Sequence, residues 1–439
     1  MTRAALLLAL AACTGTKGTL DLQLATAPGS DLLSAIHRIR LTLTSPAAVF
    51  EATRTANGLD LSFEIDAVET NGVIYIEGFD ESDAPIVGGQ SPPFPLAGSD
   101  GTVVIYVAPP YSILRAPSDL LPARSRIGGT AVIYGAVLAG GLDEAGAPSA
   151  SMAIYNIYDH TIGYGENMPV HRAGVTLAAN DSAGVYVLGG TDEAAASTST
   201  LHRFQTNIAP DGAYVDLGPH PGLESSGQRA VKIGSDAFLV TGAQPALLTA
   251  STITAITTLA DVPAAAAPAL TTDGSPLAAF VRDGTVGYYA ADGAIGEVAL
   301  PSVDAGRAIT AGSERGTVIV VGGSTRDLHV VAFGSSSVTT HANALSVARR
   351  SPTIAATSRH ILVAHGLDEN GNVIATADIL DATTLQLLDT QPLDPRTNAV
   401  ALPMPNDQIL ITGGDYPGGV PDGLVELFTP PVPRDPARP

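Results

Sequence analysis

One cysteine in 439 residues, no tryptophan, 15% charged residues and only 22 Lys+Arg against 43 Asp+Glu are the shortages of this sequence. Each one closes a class of answers. A lone thiol, Cys13, allows no internal disulfide, no thiolate zinc cluster and no iron–sulfur centre. The formal charge of −21 works against attraction to nucleic-acid phosphate or to an anionic bilayer surface. The nine histidines (His37, His160, His171, His202, His220, His329, His341, His360 and His365) include no His-x-His or His-x₃-His pair, so no metal site is suggested. Gly-rich phosphate loops, Gly-x-Ser-x-Gly elbows and His-Glu-x-x-His helices are also missing. What is plentiful is apolar side chains (45%), 46 glycines and 32 prolines, the make-up of a turn-rich globular chain rather than a disordered one. The length calls for two or three domains or one large repeat architecture.

At the N-terminus, Arg3 precedes an unbroken apolar run from Ala4 to Ala12, the order of a secretory signal and too short for a membrane span of ~20 residues. Leu10-Ala11-Ala12-Cys13 resembles the lipobox of bacterial lipoproteins. That resemblance implies removal of residues 1–12, lipidation of Cys13 and anchoring in the cell envelope by several acyl chains, with Thr14 favouring the outer membrane. Residues 13–19 then form a tether, and no later segment is apolar enough to cross a bilayer.

Residues 20–109 alternate with period two and are punctuated by turn residues. Candidate strands are Thr19–Leu24, Ile36–Thr44, Leu59–Ile65, Val73–Phe79 and Thr102–Val107, with Asn57-Gly58 and Asn71-Gly72 as turns just before two of them. The pattern predicts a β-sandwich and is similar to Ig-like or prealbumin-like modules of bacterial surface proteins. Asp80-Glu81-Ser82-Asp83 reads as a solvated hairpin tip rather than a calcium site, and His37 as an outward strand residue.

A repeat carries most of the information. β-Rich runs lead into Gly140-Gly141, Gly189-Gly190, Gly322-Gly323 and Gly413-Gly414, with degenerate copies ending near 241, 282 and 365. The spacings between markers are 49, 52, 41, 40, 43 and 48 residues, the period of propeller blades. Arg126, Arg172, Arg229, Arg307, Arg350 and Arg396 each stand 12 to 17 residues ahead of a marker, where a blade's innermost strand would start. After the marker comes an apolar strand ending in an aromatic or acidic residue, as in Ala153–Asp159, Ala377–Asp381 and Leu424–Phe428.

These three features in register resemble the Kelch-repeat, galactose-oxidase-like β-propellers over residues 125–430. The departure is the absence of Trp, with Tyr164 standing in once. The resemblance implies an all-β chain, a sandwich followed by a propeller of seven blades, or six. The last copy lacks an outer strand before the Pro-rich tail 431–439, so residues 110–124 are either a linker or, through Tyr111–Leu121, the strand that closes the ring. Radially packed sheets bury both faces, which accounts for runs of Val, Ile and Leu in place of clean alternation.

For chemistry, the resemblance first raises copper oxidation. That family's cofactor needs a cysteine cross-linked to tyrosine, and Cys13 belongs to the signal, so no copper cofactor is expected. Sialidase-type boxes require Trp. The periodic arginines read as structural, donating to carbonyls of neighbouring strands. Gly141-Leu142-Asp143-Glu144, Gly190-Thr191-Asp192-Glu193 and Gly366-Leu367-Asp368-Glu369 recur after the marker, placing Asp143, Glu144, Asp192, Glu193, Asp368 and Glu369 on one face as solubilising acids or an acidic docking rim. The expectation is a monomeric, lipid-anchored envelope protein, not an enzyme, whose propeller binds an envelope or extracellular protein or a glycan. A carbohydrate-active or other hydrolytic propeller, or a purely structural surface protein, are the alternatives.

Overall fold

The computed structural model describes residues 17–434, apart from 57, 60, 67–69, 96–100, 183, 209, 221–227, 251, 283 and 303. Cys13 and the residues read as a signal lie outside the described residues.

Two main sheets form the N-terminal unit, with a third, two-stranded one in which Asn71–Gly72, read from sequence as a turn, pairs with Phe94–Pro95. Arg38–Thr44 pairs with Ala47–Thr53 on one side and Ile74–Phe79 on the other, and Pro85–Gln90 completes a four-stranded antiparallel sheet. Lys17–Ala25 runs antiparallel to Ser62–Asp66 and parallel to Gly101–Tyr106 in the second sheet. The alternation in Ile39-Arg40-Leu41-Thr42-Leu43 turns Ile39, Leu41 and Leu43 into a core shared with Leu22, Ile74, Ile76, Val103 and Ile105. Two strands escape the sequence pattern, Ala47–Thr53 and Pro85–Gln90. The first is an alanine-rich sheet edge, exposed at every other residue; the second holds a Gly-Gly pair that reads as a turn. Gly89 is needed there, because a Cβ would stand 2.5 Å from the Tyr106 carbonyl oxygen of the facing sheet.

The rest of the chain is seven four-stranded antiparallel sheets. Their innermost strands are Gly128–Val132, Thr176–Ala179, Ala230–Gly234, Ala266–Leu270, Arg307–Ala311, Thr353–Ala356 and Val400–Pro403. Each touches the next, and Val400–Pro403 touches Gly128–Val132, so the sheets close into a ring of blades, numbered 1 to 7 here in that order. Within a blade the strands run outward in sequence order, except in blade 7. There the order from the inside is Val400–Pro403, Ile409–Thr412, Val425–Phe428 and then Ile113–Arg115, with Ile113 opposite Phe428 and Leu114 opposite Leu427. The first and last thirds of the chain thus share one sheet.

Second strands carry the apolar runs because both of their faces are covered. Ala136-Val137-Leu138-Ala139 and Val185-Tyr186-Val187-Leu188 are buried throughout, as is Ile409-Leu410-Ile411. Successive blades share cores, such as Leu138, Tyr155, Leu410 and Leu427 between blades 1 and 7. Burying each such side chain contributes about 1.5–3 kcal/mol. The N-terminal unit sits against the ring at blades 1, 6 and 7. Val104 N–H donates to the Tyr158 carbonyl (3.0 Å) and Tyr106 N–H to His160 Nε2 (3.2 Å). Arg359 donates to Gln90 Oε1 (3.2 Å) and to the Pro431 carbonyl (2.9 Å). Among the described residues no helix is long and apolar enough to cross a membrane.

Candidate functional site

Each second strand of blades 1, 2, 5 and 7 ends in Gly-Gly with both glycines at positive φ, for instance Gly140 at 64° and Gly141 at 104°. The turn is tight as well as left-handed: a Cβ on Gly140 would lie 2.5 Å from the Arg172 carbonyl of the next blade. A buried arginine holds this turn. Arg124 Nη1 donates to the carbonyls of Gly140 (2.8 Å) and Ser151 (2.9 Å). Arg172 Nη1 does the same to Gly189 (3.4 Å) and Thr200 (3.2 Å), and Arg349 Nη1 to His365 (3.0 Å) and Thr376 (2.7 Å). In blade 7, Arg396 donates to the Leu424 carbonyl (3.3 Å) and pairs with Asp422 and Glu426. One guanidinium therefore ties the approach to the first strand, the end of the second and the start of the third.

Four of the six sequence-assigned arginines fall outside this position, and only Arg172 and Arg396 hold it. The buried residues are Arg124 and Arg349, not Arg126 and Arg350, and the true spacing to the marker is sixteen or seventeen residues (124 to 140, 172 to 189, 349 to 365, 396 to 413). Arg-Ser-Arg and Arg-Arg doublets hid the register. Arg350 reaches outward to the carbonyls of Asp368 (2.9 Å) and Glu369 (3.3 Å). Blade 3 places Gln228 where the arginine would be, donating to the Thr241 carbonyl (2.8 Å), and Arg229 follows it. In blade 5 Asp304 takes the position, as shown by its Cβ lying against Gly323 the way Arg124 Cβ lies against Gly141. Arg307 starts the inner strand there and donates to Ser302 Oγ (2.6 Å) beside Asp304 (3.6 Å).

Burial opposes the charge on these guanidinium groups. It lowers the pKa of Arg124 to about 10 and also lowers those of Arg172 and Arg349, the last opposed by Asp378. Burial raises Glu426 to about 7 in spite of its pairing with Arg396.

The acidic loops follow the glycine pairs on one face. Asp143 accepts the backbone N–H groups of Ala145 and Ala147 (both 2.9 Å), Asp192 those of Ala194 and Ala196 (both 2.9 Å), and Asp368 those of Asn370 and Asn372 (both 2.8 Å). These carboxylates close their own turns. Glu144, Glu193 and Glu369 are exposed, and Glu193 pairs with His171 at 2.6 Å. Asp80 likewise closes its hairpin tip on Ser82 and Ala84 (2.8 and 3.0 Å).

Inside the ring, the seven inner strands enclose a channel of about 990 Å³. Its wall is built of small residues such as Gly128, Ala131, Gly174 and Ala355, with Thr130, Thr310 and Asn398 supplying polar groups. Among the described residues lining it, the charged ones are Arg126 and Arg229. A second cavity of about 640 Å³, between the N-terminal unit and the ring, is bordered by Arg359 and Asp407, which already pair with each other at 2.6 Å.

No protein-family profile matches the sequence, and no curated protein matches it. Among solved structures, the fold matches a fungal alcohol oxidase of the AA5 family in complex with copper. The TM-score is 0.54 at 14% identity, over 74% of this chain and 77% of that one. This corrects the expectation of a non-enzymatic protein- or glycan-binding module, since a solved protein of this architecture is an enzyme. The sequence argument against catalysis rested on missing linear motifs. A channel wall drawn from seven separate strands leaves no such motif to find. The copper itself does not fit: the described lining holds no His, Tyr, Cys or carboxylate, and no group of three His, Cys, Asp or Glu side chains gathers among the described residues. At this level of identity the likeness establishes the fold: an all-β chain whose larger part is a β-propeller similar to that of the galactose-oxidase-like alcohol oxidase.

Proposed function

We propose that the chain is a propeller enzyme that works without copper and holds a small-molecule substrate in its central channel. The observation that carries this reading is the channel, whose volume of about 990 Å³ lies at the upper end of small-molecule sites, roughly 300–1,000 Å³. Its lining runs the length of the inner strands, from Arg126 to Ala131 in blade 1 and from Ile309 to Ser313 in blade 5. Glycine and alanine keep the bore open, while threonine hydroxyls and the Asn398 amide offer hydrogen bonds along it. The likeness to an alcohol oxidase supports enzymatic use of such a scaffold.

The test is a small-metabolite panel in the presence of a metal chelator, following melting temperature and product formation by NMR. The reading expects at least one compound to raise the melting temperature and be turned over, with both effects lost in Ala311→Trp, which fills the bore. If the compounds that bind are unaffected by that filled channel, or if none binds, the reading is wrong.

Anchoring through Cys13 is a separate proposal, supported by Leu10-Ala11-Ala12-Cys13. Cys13→Ser would release the protein from the membrane fraction of a bacterial host, and unchanged fractionation would refute it.

A further inference from the structure

We infer that the channel recognises a small molecule through an anionic oxo group, carboxylate or phosphate, held by Arg126 and Arg229 at the mouth nearest the glycine pairs. This inference rests on the channel being the ligand site.

The residue two places after the arginine position repeats around the ring and is left-handed in five blades: Arg126 (φ 49°), Gly174 (63°), Gly306 (71°), Ser351 (52°) and Asn398 (57°). These positions lie on the side of the glycine pairs, because the residue between is bridged to the loop just past each pair, as in Ser125 with Leu142 and Thr397 with Asp415, and Arg126, Gly174 and Asn398 among them line the channel. Four of the five are small or uncharged. Blade 1 instead presents an arginine in a left-handed backbone conformation that is strained for a side-chain-bearing residue and comfortable for glycine. Blade 2 presents bare Gly174, whose N–H donates to the Arg126 carbonyl (2.9 Å), so no side chain from that position intrudes between blades 1 and 3. On the far side of this gap stands Arg229.

Neither guanidinium meets a carboxylate among the described residues. Arg229 donates from Nη1 to the Ala266 carbonyl (3.3 Å), and Arg126 has no side-chain partner there. Arg229 keeps contact with solvent inside the channel while protein surrounds it, and the lost bulk solvation lowers its pKa. Two unpaired cations in a confined space, in a chain of formal charge −21, are out of keeping with its general electrostatics. The acids nearest this face do not neutralise them by contact: Asp143 and Asp192 are turned into their own loops, and Glu193 is engaged by His171. A planar fork of donors from each arginine suits the oxygens of a carboxylate or phosphate, and the Asn398 amide and Gln228 share the lining.

The test compares benzoate, phenyl phosphate and the neutral isostere benzyl alcohol by titration calorimetry at an ionic strength of about 0.15 M, where long-range repulsion from the surface is screened. The full chain is used as wild type, Arg126→Asn, Arg229→Gln, Arg350→Gln and Ala311→Trp; asparagine tolerates the left-handed position. The inference expects benzoate, phenyl phosphate or both to bind at least about tenfold more tightly than the alcohol. Each channel arginine variant should remove about that factor with no loss of melting temperature, while Arg350→Gln, outside the channel, changes nothing. If all three compounds bind alike and Ala311→Trp abolishes binding, the channel stands as the ligand site and the anion specificity is refuted. If the anions bind and neither channel arginine matters, the inference is also refuted. Binding that survives Ala311→Trp, or no binding by any compound, overturns the channel reading together with it.

Discussion

Blades 6, 7, 1 and 2 are built to one rule, and blades 3, 4 and 5 are not. In the first group a buried arginine ties three strands and sits sixteen or seventeen residues before a left-handed glycine or its His365-Gly366 equivalent. In the second group the same position is Gln228 in blade 3 and Asp304 in blade 5, and in blade 4 a half-buried Arg282 reaches from the second strand to the carbonyls of Ala260 and Asp261. The four regular blades are contiguous around the ring, across the join where Ile113–Arg115 pairs with Val425–Phe428. Middle blades are linked to both neighbours by the chain itself. At the join, blades 7 and 1 meet through side chains and the outer strand alone, over a sequence separation of about 300 residues, so closing that loop costs entropy that contacts must offset. The arginine ties are concentrated where the ring would otherwise open.

Breaking the ties should therefore hurt in a set order. Arg396→Ala is expected to cost most, about 3–5 kcal/mol in urea unfolding, because it strands Asp422 and Glu426 as buried carboxylates. Arg124→Ala takes the donor from the buried Gly140 carbonyl, while the Ser151 carbonyl keeps the Gly140 N–H and no carboxylate is stranded, and should cost about 1–3 kcal/mol. Arg282→Ala, at the half-buried end of blade 4's second strand where the guanidinium meets only carbonyls near the surface, should cost under about 1 kcal/mol. If Arg282→Ala matched Arg396→Ala, the distinction between the two groups of blades would be lost.

Acid should sharpen the same contrast. Burial lowers His160 in blade 1 to about 4, and His360 and His365 in blade 6 to about 4 and about 3. Unfolded, these histidines take up protons near 6.5, so between pH 6.5 and 4 they bind more protons in the unfolded chain and their contribution to stability falls with falling pH, opposed by Glu426, which binds its proton more tightly in the fold between about pH 7 and 4.5. Hydrogen exchange over that range should quicken first at the join, in strands Met152–Asn156 and His360–Ala364. Faster loss in blades 3 and 4 would contradict this.

Much of the architecture was legible because it is local. A buried second strand ending where only left-handed glycines fit produces Val-Ile-Val-Val-Gly-Gly at Val318–Gly323 however the rest of the sequence drifts. Register was less legible. Arg124 and Arg126 are the same residue type two positions apart, and what separates them is that one points into the blade and the other lines the channel. The channel site could not be read from spacing, since Arg126 and Arg229 lie 103 residues apart and share one lining only because blades 1 and 3 stand in the same ring. A signal was nonetheless present: an arginine where the other blades carry Gly174, Gly306, Ser351 and Asn398.

Ring closure is what every part of this account requires, and a thiol pair across the join tests it directly. In a Cys13→Ser background, Leu114→Cys with Leu427→Cys places the two thiols on register partners. Mild oxidation should link the peptide containing position 114 to that containing position 427, seen by mass spectrometry after digestion. Two thiols that alkylate freely in the native protein and never join would show that the ends of the propeller do not meet.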